Sequence, residues 1–273
     1  MTDRYAVIGN PIAQSKSPLI HSTFAALTGQ DLEYTRIEGA LGGFAKAVDA
    51  FRAAGGRGMN ITTPFKLDAF AYATEHSERA QLAGAVNALK FDGQRVIAEN
   101  FDGIGLVRDV THNLNCALKG KRVLLMGAGG ATRGALIPFL EQQPAQLLII
   151  NRTLATAQQL ASSFAHAGPV TAVGYGDVGT QQFDIVLNAT SASLRAELAP
   201  LPTSVFAPGA LAYELAYGKG LTPFLRMAQS AGVQRLADGV GMLAEQAAAA
   251  FEWWRGVRPD TKGVIAQLTV PLE

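Results

Sequence analysis

Short apolar runs bounded by turn residues alternate with helical periodicities along the chain, the pattern of an α/β layer structure. In the first hundred residues, Tyr5 to Ile8, Leu32 to Ile37, Gly58 to Ile61, Ala85 to Lys90 and Arg95 to Ala98 read as strands. Helical spacing runs between them over 18–28, 43–53 and 66–83. A connecting helix over Gly103 to Asn113 leads into a second series, with strands at 122–126, 146–150, 184–188 and 210–214 and helices over 131–142 and 153–165. The last helical stretch, Gly239 to Arg255, places Met242, Gln246, Ala250 and Trp254 on neighbouring turns, a face expected to return toward the first series and close a cleft. No internal repeat or low-complexity tail interrupts the pattern.

The second series opens with a glycine loop. Gly127-Ala128-Gly129-Gly130-Ala131-Thr132-Arg133-Gly134 follows the apolar run Arg122 to Met126 and precedes a helical pattern. Glycines let the backbone approach a pyrophosphate, and the unpaired N–H groups at the helix start face the anion with the favourable end of the helix dipole. Thr132 stands at the third glycine position of the strict fingerprint. A Rossmann unit normally begins with this loop, so the residues before it form something else. The expected organisation is a substrate-binding and catalytic α/β domain over 1–105, joined by C-terminal helices over 239–273, and a Rossmann-like dinucleotide-binding domain over 106–238.

The 273 residues suit two domains, since a domain typically runs to about 100–200 residues. A net charge of +1 with no lysine or arginine block gives no electrostatic footprint for nucleic acid or an acidic membrane, which points to small-molecule partners. Cys116 is the one cysteine, so no internal disulfide forms, and no signal-peptide pattern or long apolar span is present. The expectation is a cytoplasmic protein, monomer or homodimer. His21, His76, His112 and His166 are far apart, without cysteine or acidic neighbours at ligand spacing, so no metal site is expected.

Three clusters in the first series carry candidate chemistry. Asn10-Pro-Ile-Ala-Gln-Ser15-Lys-Ser17-Pro18 follows the first strand, and Ser17 before Pro18 reads as an N-cap and first-turn pair, with two hydroxyls and a helix start suited to a carboxylate. Asn60, Thr62 and Lys66 fall at the carboxyl end of the third strand, where α/β folds place ligand residues. Asn87 and the stretch Glu99-Asn100-Phe101-Asp102-Gly103 supply an amide and a carboxylate. An amine and a carboxylate at one hydroxyl can move its proton while hydride leaves the same carbon. A carboxylate also stabilises an ammonium beside it, so the pair is expected to act as a relay, unless Asp102 only caps the connecting helix.

In this order these clusters resemble the shikimate dehydrogenase family across essentially the whole chain. The resemblance rests on Gly9 to Pro18, Asn60 to Lys66, Gly84 to Asn87, Asn100 to Gly103, Gly127 to Gly134, Asn151-Arg152-Thr153, Asn188-Ala-Thr-Ser191, Tyr213 to Tyr217 with Lys219-Gly220, and Ala237 to Met242 through Gln246. It implies reversible oxidation of a cyclohexene polyol carboxylate, shikimate to 3-dehydroshikimate, with a nicotinamide cofactor. It implies that Ser15 and Ser17 hold the carboxylate, that Thr62, Asn87, Tyr217 and Gln246 address the rest of the substrate, as the strand-end position also suggests for Asn60, and that Lys66 and Asp102 are the catalytic pair. It places Gly127, Ala128, Gly129, Gly130, Ala131, Asn151, Arg152, Thr153, Thr190, Gly239 and Met242 around the cofactor, with Met242 near the nicotinamide.

Two positions depart from the family pattern. Phe101 and Ala88 each replace a usual threonine, so Phe101 is expected to face the substrate and weaken activity on shikimate, the alternative being that it turns into the core and leaves the pocket unaltered. Ser193, where many members have glycine, reads as loop variation. The second Rossmann strand ends in Asn151-Arg152 rather than an acid, and arginine there receives the 2′-phosphate of NADP, so NADP is expected with NAD as the alternative. Leu154, Ala155 and Thr156 add no second cation. The competing readings are a paralogue acting on quinate, an aminated analogue or a less polar substrate, and a nucleotide-binding regulator without turnover, against which the retention of both Lys66 and Asp102 argues.

Overall fold

The computed structural model describes residues 2–190, 192, 195, 197 and 200–272. The chain divides into two compact units, Met1–Gly105 with Ala244–Ala266 and Leu106–Leu243 with Gln267–Glu273. The sequence-based division differs in detail: residues 239–243 and 267–273 go with the second unit.

The first unit contains β1 (Asp3–Gly9), α1 (Ser17–Thr28), β2 (Leu32–Glu38), α2 (Phe44–Ala53), β3 (Gly56–Ile61), α3 (Lys66–Tyr72), β4 (Glu75–His76), α4 (Glu78–Ala83), β5 (Ala88–Asp92), β6 (Arg95–Glu99) and the start of α5 (Asp102–Arg108). Its six-stranded sheet runs β2-β1-β3-β5-β6-β4. β1 lies parallel to β2 and β3, while β5 is antiparallel to both β3 and β6. Alternation along the strands buries both faces. Ala6, Ile8, Met59, Ile61, Leu89 and Val96 form one core with Phe44, Val48 and Phe65, and Tyr5, Val7 and Tyr34 pack with Ile12 and Trp254.

The expected helix over 66–83 is broken into α3, β4 and α4. Thr74 takes both backbone groups of Val96, accepting from its N–H at 2.8 Å and donating to its carbonyl at 3.2 Å, so the chain joins the sheet edge there. Ser77 then caps a new helix by accepting from Ala80 N–H at 3.1 Å. A side-chain bond across the sheet edge and a local cap thus outcompete the helical periodicity.

The second unit contains β7 (Arg122–Met126), α6 (Gly130–Glu141), β8 (Gln146–Ile150), α7 (Leu154–Phe164), β9 (Val170–Val173), β10 (Phe183–Asn188), β11 (Phe206–Glu214), α8 (Pro223–Ser230), β12 (Arg235–Asp238) and the start of α9 (Val240–Arg255), which continues into the first unit, as does most of α10 (Lys262–Leu268). Its sheet runs β12-β11-β10-β7-β8-β9, all parallel, the doubly wound order with its reversal between β7 and β10. β9, α8, β12 and α10 lie outside the expected elements. The connecting helix begins as α5 and ends in a π-helical turn over Asp109–Asn113.

Candidate active site

In the first unit, the parallel register of β1 and β3 pairs Val7 with Asn60 and Ile8 with Ile61, so the loops after both strands leave the sheet side by side. Ser15 lies in the loop between β1 and α1, and Ser17 opens α1. The expected N-cap role of Ser17 is not what the structure shows: Lys16 occupies the cap position without a side-chain cap bond, and Ser17 is the first helical residue. Ser15 explains the difference, because its Oγ accepts from Ser17 N–H at 3.3 Å and so takes over a terminal N–H of the helix. Arg36 holds this loop by donating to the Ser15 carbonyl through Nε at 3.1 Å and Nη2 at 2.7 Å.

Lys66 opens α3, and its Nζ donates to Asp102 Oδ2 at 2.5 Å. The other carboxylate oxygen accepts from Asn87 Nδ2 at 2.8 Å, and that same amide nitrogen lies 3.3 Å from Gln246 Oε1. Asp102 is therefore more than a helix cap. Asn100 does the capping, with its Oδ1 accepting from Asp102 N–H at 3.1 Å, which leaves both carboxylate oxygens for Lys66 and Asn87. Asn87 is oriented from its other end, where Oδ1 accepts from Phe101 N–H at 2.9 Å. Buried Glu99 braces the turn: it pairs with Arg79 at 2.6 Å and accepts from Ser77 Oγ at 2.6 Å and Asn100 N–H at 2.7 Å. Thr62 is half-buried just past β3, with its N–H bonded to the Ile8 carbonyl at 3.0 Å.

The expectation that Phe101 faces the substrate is corrected. Its ring is 5% exposed and packs with Ala88, Ala249 and Ala250, with Trp253 edge-on at 5.7 Å between ring centroids. The two departures from the family pattern meet in one apolar cluster, where the small Ala88 leaves room for the large Phe101. Only the backbone N–H of Phe101 reaches the polar array.

In the second unit the loop after β7 has Gly127 at φ 100°, a conformation that L side chains rarely adopt. A Cβ there would also press on Thr190 Cγ2 at 3.2 Å and on the Ala189 carbonyl at 3.3 Å. Thr132, in place of the third glycine, is buried and donates to the Gly127 carbonyl at 2.7 Å, so its hydroxyl ties the loop to α6. Thr190 is fixed by Asn188 Oδ1, which accepts from its N–H at 3.1 Å and its hydroxyl at 2.7 Å. Gly127, Ala128, Gly129, Asn151, Arg152 and Thr190 line a cavity of about 550 Å³. Gly130 and Ala131 begin α6, and nothing stands within 4 Å of a Cβ built on Gly129 or Gly130. Open loop glycines, a helix start and an exposed arginine in one cavity fit a dinucleotide phosphate.

Asn151 bonds the Thr153 carbonyl at 3.0 Å and so shapes the strand end that carries Arg152. Tyr217 is 40% exposed, and Met242 is half-buried in the first turn of α9. The structure gathers Lys66, Asp102, Asn87 and Gln246 in the first unit, and it places Tyr217, Gly239 and Met242 in the second. Gly239 sits against Leu215, whose carbonyl oxygen would lie 2.1 Å from any Cβ there, so packing alone requires a glycine. Ser191 and Ser193 lie outside the described residues. No group of three metal-ligating side chains occurs among the described residues, and no helix among them is long and apolar enough to cross a membrane.

Sequence reasoning missed Tyr34 and His21. Tyr34 Oη donates to Asn60 Oδ1 at 2.7 Å, and the His21 ring stacks on Tyr34 at 4.2 Å with 3° between planes. Their sequence signal is faint, since one lies in an ordinary strand pattern and the other on the apolar face of α1.

The site and fold define a two-unit α/β protein with a Rossmann-like dinucleotide unit and a separate unit bearing a lysine–carboxylate pair. Family models match in three segments: the shikimate dehydrogenase substrate binding domain over residues 7–89, shikimate/quinate 5-dehydrogenase over 109–196, and the shikimate 5′-dehydrogenase C-terminal domain over 239–269. A shikimate dehydrogenase (NADP(+)) of Nitrosospira multiformis is 55% identical over 268 residues, covering 98% of both chains. Among solved structures, an Ael1 enzyme from Pseudomonas putida superposes with a TM-score of 0.97 at 61% identity over all of both chains. Shikimate 5-dehydrogenase from Thermus thermophilus, in complex with NADP(H) and shikimate, gives 0.87 at 31% identity, covering 97% of this chain and 98% of its own. The chain belongs to the shikimate dehydrogenase family.

Proposed function

We propose that the protein interconverts shikimate and 3-dehydroshikimate with NADP as the redox partner. The Lys66–Asp102 contact of 2.5 Å carries this reading, because it joins an amine and a carboxylate in a polar array of the substrate unit. When bound, the cofactor supplies the nicotinamide carbon that accepts or returns hydride. The chain's own part is to take the hydroxyl proton in one direction and give it back in the other. Lys66 and Asp102 share that proton, and Asn87 fixes the carboxylate so that one oxygen stays aimed at Lys66. Ser15 and Ser17 supply hydroxyls for the substrate carboxylate. Purified protein with shikimate and NADP or NAD, followed at the nicotinamide absorbance band, tests the reading, and absence of turnover with either cofactor overturns it.

Cofactor choice rests on Arg152, which is exposed at the end of β8 in the phosphate cavity. Arg152→Ala is expected to raise the KM for NADP by one to two decades, about 1.5–3 kcal/mol for a charge-assisted contact, and to leave that for NAD nearly unchanged. Paired KM values check this, and a wild-type preference for NAD would show that Arg152 holds no 2′-phosphate.

Phe101→Thr is expected to give no gain in kcat/KM for shikimate and to cost about 3 kcal/mol of stability, because it empties a packed apolar cluster. Denaturant titration and steady-state kinetics on the same sample decide it. A tenfold gain in kcat/KM would place the ring in the substrate pocket after all.

A further inference from the structure

Tyr34 carries none of the roles assigned above, yet it is built into the floor of the substrate unit. It is 7% exposed in β2, and its hydroxyl donates to Asn60 Oδ1. Asn60, 6% exposed, donates through Nδ2 to the Asn87 carbonyl at 3.2 Å, and Asn87 is the residue whose amide grips Asp102. The donors all point one way. Asn60 presents oxygen to a phenol and nitrogen to a carbonyl, and turning the amide over would set oxygen against the Asn87 carbonyl.

His21 holds the phenol ring in place. It is 1% exposed, stacked face to face on Tyr34 and edge-on to Phe24, and neither of its ring nitrogens has a hydrogen-bond partner. Its contribution to Tyr34 is therefore the stack. Burial drives the Tyr34 phenol well above its ordinary pKa, and the neighbouring Ser17 side chain opposes that rise, so the hydroxyl stays protonated and remains a donor.

We propose that Tyr34, clamped by His21, is a positioning residue for the reaction: its hydroxyl fixes the Asn60 amide and, through Asn60, the Asn87–Asp102–Lys66 array, without touching a reacting atom. This rests on the dehydrogenase reading of the site. A ring that only filled space would be replaced without loss by phenylalanine, which keeps the stack and removes the hydroxyl alone.

The test is a double-mutant cycle in kcat/KM for shikimate with NADP, using Tyr34→Phe, Asn60→Ala and the double variant, with thermal unfolding recorded for each. Tyr34→Phe is expected to lose about tenfold, equivalent to about 1.4 kcal/mol, and to add nothing in the Asn60→Ala background. Wild-type kinetics in Tyr34→Phe, or losses that multiply in the double variant, overturn the proposal. Asn60→Asp probes the same path with Tyr34 intact, because it keeps the acceptor for the phenol and removes the donor to Asn87. If Tyr34→Phe does not fold, a loss in Asn60→Asp confined to kcat, with the KM for shikimate unchanged, supports the path, whereas wild-type kcat or a loss confined to KM overturns it. A wild-type protein inactive on shikimate defeats the function and this inference together, whereas wild-type turnover with unaffected variants defeats this inference alone.

Discussion

Lys66→Ala lowers kcat for shikimate oxidation by about 10²–10⁴ with much less change in KM, because a proton-transfer group acts chiefly in the transition state. The geometry makes the experiment clean. Asp102 keeps its bond from Asn87 and its backbone bond to Asn100 when Lys66 is truncated, so the carboxylate stays in place while its proton partner goes. Asp102→Asn is the complementary variant, since it retains shape and removes charge. Steady-state kinetics of both variants at saturating cofactor measure the effect, and a near-wild-type kcat for Lys66→Ala takes the lysine out of the mechanism.

Between pH 6.5 and about 3 the fold loses stability through His21. Burial among aromatic rings, with no hydrogen-bond partner for either ring nitrogen, pushes this imidazole down to about 3. The unfolded chain takes up the proton near pH 6.5 and the native one does not, so the unfolded state binds more protons across this window and native stability falls as pH falls. The loss is about 2 kcal/mol by pH 5 and about 4 kcal/mol near pH 3. His21→Phe keeps an aromatic stack and has no proton to gain. Urea titrations at pH 7 and pH 5 are expected to show the variant gaining on the wild type by about 2 kcal/mol over that interval. A gap that stays constant assigns the acid sensitivity to other groups.

The strands were the most legible part of the chain. Apolar runs led by one polar residue, such as Arg122 to Met126 and Gln146 to Ile150, are bounded by turn residues, and the structure places β7 and β8 at those residues. The phosphate loop was legible for the same local reason, because a strand, glycines and a helix stand in direct succession. The break at Thr74 to Ser77 was not, because its cause is a hydrogen bond to Val96, 22 residues away. Lys66, Asp102 and Asn87 were legible as residue types at strand ends, whereas the supports behind them were hidden in ordinary patterns. Tyr34 looks like any strand aromatic until its side chain reaches across β1 to Asn60 on β3, and Phe101 was misjudged because Ala88 and the alanines of α9 accept its ring only in three dimensions.

The first unit is assembled from two separated stretches of chain, and this imposes an order on biosynthesis. Residues up to Gly105 leave the ribosome with β5 and the Phe101 turn already made, yet Ala249, Ala250, Trp253 and Trp254 have not been synthesised. Roughly 140 residues separate Gly105 from Ala244, so at 5–20 residues per second the uncovered apolar surface waits about 7–28 s for its cover. The second unit's main stretch, Leu106–Leu243, is synthesised in that interval, and only its last residues, Gln267–Glu273, follow the cover. The nascent first unit, translated first, is then expected to offer its apolar surface to chaperones until α9 emerges.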